Sequence, residues 1–194
     1  MKTSTVGALI LVALGSAPRI TSAQPYATVA VGAGQNDVEC TTSRTCEKTD
    51  VAFKLLGGYR IAPWIAGEAV YLDFGAARKA SLIGEDSYGT SAFGGGVAFH
   101  GNFASWTLTA RVGAARVASE RGITFVPQIT TPSPSSVTTA ELRPYGGAAL
   151  GYRFSKYVAL AVGVDVTKSR WERSDGASLE WNAGAVTAGL TIGR

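Results

Sequence analysis

Histidine occurs once in these 194 residues, methionine once and cysteine twice. So few soft or imidazole donors leave no clustered metal ligands, since a closed zinc site alone takes four N or S donors. No glycine-rich loop opening a helix is present to cradle a phosphate. Beyond the first residues, no stretch approaches the ~20 apolar residues of a spanning helix. If the chain crosses a membrane it must therefore do so as a closed barrel, because only helices and barrels satisfy every backbone polar group in hydrocarbon. Basic excess is also lacking. The formal charge is +4, and Lys2 and Arg19 supply two of those charges, which leaves +2 over residues 24–194. That balance gives a nucleic-acid partner no support.

What the chain does have is alternation. Segments of about ten residues switch between apolar and small or polar positions, as in Trp64-Ile65-Ala66-Gly67-Glu68-Ala69-Val70-Tyr71-Leu72. Strands are expected over 26–36, 49–60, 64–74, 88–100, 104–118, 139–154, 157–168 and 179–192. Side chains one apart point opposite ways. Val51, Phe53, Leu55 and Tyr59 thus oppose Asp50, Lys54 and Arg60; Trp106, Leu108 and Val112 oppose Arg111; Val158, Leu160, Val162, Val164 and Val166 oppose Asp165. The joints alternate as well. Those at 61–63, 101–103 and 155–156 are tight, and those at 37–48, 75–87, 119–138 and 169–178 are long and polar. The 24 glycines, well above an average ~7% share, fall within strands, as in Gly94-Gly95-Gly96. This describes one all-β domain over 24–194, an eight-stranded antiparallel up-and-down transmembrane barrel with grease outside and charge inside.

Residues 1–23 read as a cleaved secretory signal peptide. Lys2 starts it, an apolar stretch covers 6–14, and Thr21-Ser22-Ala23 precede the expected cut ahead of Gln24. In an exported chain Cys40 and Cys46 are expected to form a disulfide that staples a small loop. Rings near strand ends are expected to form girdles at two water–lipid boundaries: Tyr59, Trp64, Phe99, Trp106, Tyr152 and Tyr157 at the tight joints, Tyr71 and Trp171 at the long ones. Phe74, Tyr88 and Trp181 also fall near the long joints and are expected in the same girdle.

An eight-stranded interior is just wide enough for side chains to fill. Hairpin geometry suggests a lumen ion-pair network of Glu68 with Lys54 and Arg111, and of Asp165 with Arg143, with the Gly94 region opposite Arg111 leaving it room. A plugged lumen is expected rather than an open one. His100 with Ser105 across a tight turn is the one arrangement with nucleophilic potential, and no third group orients it. We therefore expect no catalytic, cofactor or metal site.

Residues 49–75 resemble the OmpA-type/OmpX-type outer-membrane β-barrel family. Asp50 to Arg60, the Ile61-Ala62-Pro63 turn, and Trp64 onward with Glu68, Tyr71, Asp73 and Gly75 carry the likeness. Cys40 and Cys46 match a cysteine-loop version, and Tyr145-Gly146-Gly147 with Gly151-Tyr152-Arg153-Phe154 is a weaker match. The resemblance implies the outer membrane of a Gram-negative bacterium, export by the secretory pathway, and contact with outer-membrane lipid and lipopolysaccharide. It also implies periplasmic chaperones and the barrel-assembly machinery in biogenesis, and a structural, adhesive or host-facing role through surface loops. No peptidoglycan-binding domain of the kind larger relatives carry is expected, and Leu190 and Ile192 are expected to substitute for the family's terminal aromatic. A narrow diffusion pore shares the fold. A secreted lipocalin-like barrel binding a small apolar ligand would require the opposite orientation of the greasy face.

Overall fold

The structure is a computed structural model, and it describes residues 24–38, 45–80, 84–125, 137–172 and 178–193. The expected signal peptide and Cys40 lie outside the described residues. Eight long strands and one short one follow in order: β1 (Gln24–Asn36), β2 (Thr45–Glu47), β3 (Thr49–Ala62), β4 (Ile65–Ala80), β5 (Gly84–Phe103), β6 (Trp106–Phe125), β7 (Val137–Arg153), β8 (Val158–Glu172) and β9 (Ser178–Gly193). Each long strand pairs antiparallel with its neighbours in sequence, and β1 pairs with β9 to close the ring. Closure removes the free edges that an open sheet would present. β2 extends the wall by pairing with the end of β4, Cys46 standing opposite Lys79.

One end is closed by tight connections. Pro63-Trp64 joins β3 to β4, and Ala104-Ser105 joins β5 to β6. Ala104 has a φ of 52°, as the mirror-image turns of two-residue hairpins demand. Residues 154–157 join β7 to β8, where the Ser155 hydroxyl oxygen accepts from the Tyr157 and Val158 amides at 3.1 Å each. Both β1 and β9 also have their outer ends here.

At the other end the strands run further than alternation alone indicates. β5 and β6 remain paired from Phe103–Trp106 out to Gly84–Phe125, so much of what reads as long polar loop at 75–87 and 119–138 is strand. A bulge interrupts the β4–β5 ladder between Asp73 and Ala76. Gly75 takes a φ of 73° there, a conformation in which a side chain is strained. Its N–H donates to Asp73 Oδ1 and its carbonyl accepts from Asn36 Nδ2.

Two ladders break this continuity: β3–β4 pairing ends at Phe53–Asp73, and the β7–β8 ladder stops further from its strand ends. Its described pairing stops at Tyr145–Thr167, although β7 starts at Val137 and β8 continues to Glu172. Pro144 stands at the stop. It has no N–H for the ladder, and proline is confined to edges and bulges for that reason. The Thr167 hydroxyl donates to the Pro144 carbonyl at 2.9 Å, which satisfies the acceptor left without a rung. The two strands part above this point.

Alternation places one parity of every long strand outside. Val29, Val31, Leu55, Phe93, Val112, Leu150, Leu160, Val162, Val164, Val186 and Leu190 are large, apolar and exposed. Lys54, Glu68, Thr109, Asp165 and Thr187 are buried in the interior. Charges are not wholly confined there. Arg116, Glu120 and Lys168 are exposed on the outward parity, all toward the long-strand end.

Candidate functional site

The interior has three levels. At mid-height two carboxylates organise the polar groups. Glu68 Oε1 accepts from the Tyr26 hydroxyl at 2.5 Å, and Glu68 Oε2 accepts from Arg111 Nε at 2.9 Å. Asp165 Oδ2 accepts from Lys54 Nζ and Oδ1 from the Tyr145 hydroxyl, each at 2.5 Å. Each carboxylate thus holds one cation and one tyrosine. The contacts join β1, β4 and β6 on one side and β3, β7 and β8 on the other.

The structure brings together four of the five residues expected as a network, in different pairs. Arg111 meets Glu68. Lys54 meets Asp165, not Glu68, and Arg143 is not part of the cluster. The Arg143 guanidinium instead pairs with Glu141 at 2.6 Å and Glu180 at 3.5 Å, near the parted end of β7. The reason is geometric. β3 and β8 are separated in the wall by β1 and β9, so the Lys54–Asp165 pair crosses the lumen rather than a hairpin.

Register moves the glycine that makes room as well. The β5–β6 turn lies at Ala104-Ser105, which puts Ala98 and not Gly94 opposite Arg111. On its other side Arg111 faces Gly147, which in turn faces Asp165. A Cβ at Gly147 would collide with the Asp165 carboxylate and lie 3.3 Å from Arg111 Cγ. Tyr26 and Tyr145 are the members that sequence reasoning missed. Tyr145 shares the charged parity of β7 with Glu141 and Arg143, and Tyr26 the small and polar parity of β1 with Thr28 and Asn36; that was the available signal.

Above this level, toward the long-strand end, the interior is apolar. Leu72, Phe74 and Val117 pack with Leu56, Val70 and Tyr145 of the middle level in one buried cluster, and Val38, Ala77, Tyr88 and Trp181 form another. Phe74, Tyr88 and Trp181 therefore face inward and seal the barrel; they are not boundary rings. Trp181 Nε1 donates to Thr90 Oγ1 at 3.2 Å, and Ser119 and Ser169 hydroxyls meet at 2.5 Å across the same region. Below mid-height, toward the tight turns, a chamber of about 380 Å³ opens, lined by Tyr26, Lys54, Arg60, His100, Arg111 and Arg153 among others.

His100 lies in this lower region. Its Nδ1 is 3.0 Å from the Thr109 hydroxyl, and its Nε2 is 3.4 Å from the Tyr26 hydroxyl. Both ring nitrogens are thus directed at hydroxyls of the lumen, whereas Ser105 is exposed in the β5–β6 turn. Among the described residues no group of three His, Cys, Asp or Glu is placed to hold a metal.

On the exterior, Tyr59, Trp64, Phe99, Trp106, Tyr152 and Tyr157 are exposed around the tight-turn end. Trp64 stacks on Phe99 at 6.3 Å, and Trp106 meets Tyr152 edge-on at 5.0 Å. Tyr71 is exposed on β4, between Leu55 and Phe93 of the neighbouring strands. Trp171 pairs with Leu179 toward the long-strand end.

A closed meander of eight long strands, apolar outside and sealed by paired charges inside, has the architecture of the small outer-membrane β-barrels. No protein-family model and no curated sequence matches the chain. Solved structures do share its fold. Neisserial surface protein A aligns with a TM-score of 0.53 at 12% identity, over 88% of this chain and 96% of its own. Ail, the attachment invasion locus protein of Yersinia pestis, solved with the heparin analogue sucrose octasulfate, aligns at 0.52 and 12% identity over 88% and 99%. A major outer membrane protein of Thermus thermophilus aligns at 0.54 and 10% identity over 89% and 100%.

Proposed function

We propose that this chain is a structural, non-catalytic protein of a Gram-negative outer membrane, with its tight turns in the periplasm and its extended strand ends outside. One observation carries the reading: a belt of large apolar side chains exposed all round a closed wall, with ionic groups paired inside at the same height. In water that belt would be an uncovered apolar patch far beyond what soluble monomers carry. In lipid it is the required surface. The aromatic cluster at the tight-turn end fits one boundary. Arg116 and Lys168, outward at the other margin, are suited to the phosphates of lipopolysaccharide. A lipocalin-like apolar-ligand site does not fit, because the apolar parity faces out. The 20-residue strands β5 and β6 would lift their connections well clear of the bilayer, which suits an adhesive or host-facing role.

Membrane fractionation combined with heat-modifiable gel migration tests this reading. The protein is expected in the outer-membrane fraction, with unheated samples running faster than boiled ones. Recovery as a soluble periplasmic protein would overturn it.

The pore reading is separable. Phe74, Leu72 and Trp181 fill the bore above the ion pairs, so planar-bilayer recordings are expected to show no steady large conductance. A stable open level would show that the apolar seal does not hold.

A further inference from the structure

The chamber on the tight-turn side contains more positive charge than the barrel's own carboxylates balance. Lys54, Arg60, Arg111, Arg153 and Lys156 line it, and no acidic side chain is among its described lining residues. Glu68 and Asp165 lie at its inner end, each already accepting from one cation and one tyrosine. Five cations thus face two carboxylates. Of the buried arginine nitrogens without an acceptor among the described residues, two belong to this chamber: Arg111 Nη1 and Arg60 Nε. The Arg111 side chain is only 9% exposed, so bulk water does not serve it freely. A buried donor of a charged group left without a partner is costly, and native structures rarely leave one so.

The two arginines enter the chamber from β3 and β6, strands separated by β4 and β5 in the wall, at neighbouring levels. Arg111 binds Glu68, which stands opposite Gly58, and Arg60 is the next inward residue along β3 toward the mouth. The Arg60 guanidinium carbon lies 5.5 Å from the centre of the Tyr26 ring, whose hydroxyl donates to the same Glu68. Arg153 and Lys156 stand at the mouth itself. A path from the rim to Arg111 is therefore cationic along its length.

We infer that this chamber is a binding site for a small soluble molecule bearing a phosphoryl group, which enters at the tight-turn mouth and is held between Arg60 and Arg111. A phosphoryl group offers three acceptor oxygens and up to two negative charges, which suits two planar guanidinium forks. The volume of about 380 Å³ lies at the lower end of small-ligand sites, so a compact metabolite fits and a lipid with its acyl chains does not. The proposed membrane orientation only decides that such a molecule would come from the periplasm; binding itself does not depend on it.

The test is titration of the folded, full-length mature protein in octyl glucoside, a phosphate-free uncharged detergent, followed calorimetrically and by the arginine Nε–H resonances. Inorganic phosphate and glycerol 3-phosphate are expected to bind saturably and to shift the Arg60 and Arg111 signals. Arg60→Gln is expected to weaken binding about tenfold or more, the loss of one charged hydrogen-bonding group. Arg153→Gln at the rim provides a second variant, and gel migration checks that both are folded. The inference is overturned if phosphate acts no more strongly than chloride at matched ionic strength, or if both variants bind like the parent. Acetate binding as tightly as phosphate would overturn the phosphoryl assignment, and dihexanoyl phosphatidylglycerol competing as well as glycerol 3-phosphate would overturn the soluble source. These outcomes are independent of the fractionation result.

Discussion

Asp165→Ala is expected to lower the unfolding free energy in detergent by about 3–5 kcal/mol, the range for removing one partner of a buried ion pair. Asp165 is 0% exposed and holds both Lys54 and Tyr145. Its removal leaves the Lys54 ammonium, whose side chain is 4% exposed, without its salt-bridge partner. Urea unfolding of the folded barrel reads the effect directly. Arg143→Ala serves as the contrast. The Arg143 side chain is 20% exposed and its partner Glu180 57%, so a loss of no more than about 1 kcal/mol is expected. The comparison also distinguishes the cross-lumen pair from a hairpin pair, because an Asp165–Arg143 bridge would make both variants costly. Lys54→Met combined with Asp165→Leu should recover much of the loss, since two matched apolar groups leave no charge stranded. A change below about 1 kcal/mol in Asp165→Ala alone would mean that water reaches the carboxylate.

Val162→Arg is the second large effect. Val162 is 50% exposed, at the centre of the outward row Val158, Leu160, Val162, Val164 and Val166 on β8. It pairs with Leu150 on one side and Ala188 on the other. In lipid vesicles an arginine at this depth is expected to cost about 2–4 kcal/mol. The same substitution on a water-facing strand would stay within about 0.5 kcal/mol. Folding yield into vesicles, followed by protease protection and gel shift, reads the difference. Unchanged insertion would remove the membrane reading, whatever the Asp165 result.

Most of the wall was legible in the sequence because alternation is a local property. The parity of Val51 against Lys54, or of Val162 against Asp165, depends only on strand geometry, and the structure preserves it. Strand length was less legible. β5 and β6 continue through Gly84–Tyr88 and Ser119–Phe125, where polar residues on both faces remove the alternating signal while the ladder persists. Pairing across the interior was the least legible. Hairpin arithmetic reaches only adjacent strands, whereas Lys54 meets Asp165 across the bore, a relation set by closure and tilt. A small shift in the centre of the β5–β6 turn is enough to exchange Gly94 for Ala98 beside Arg111. Phe74, Tyr88 and Trp181 resemble boundary rings in their nearness to strand ends. Their parity nevertheless places them with Leu72, Thr90 and Ala183, inside. Pro144 also holds information that periodicity does not use, because a residue without an N–H inside a strand marks where a ladder can stop.

That stop has a mechanical consequence. The cylinder is hooped at the tight-turn end and slit at the other, so lateral squeezing by a bilayer is not resisted evenly around the rim. The slit ends where the Thr167 hydroxyl donates to the Pro144 carbonyl. From there the next rungs inward are Tyr145–Thr167, Gly146–Val166 and Gly147–Asp165. The slit therefore points at Asp165, whose bonds to Lys54 across the lumen and to Tyr145 tie β8 to β3 and β7 just below it.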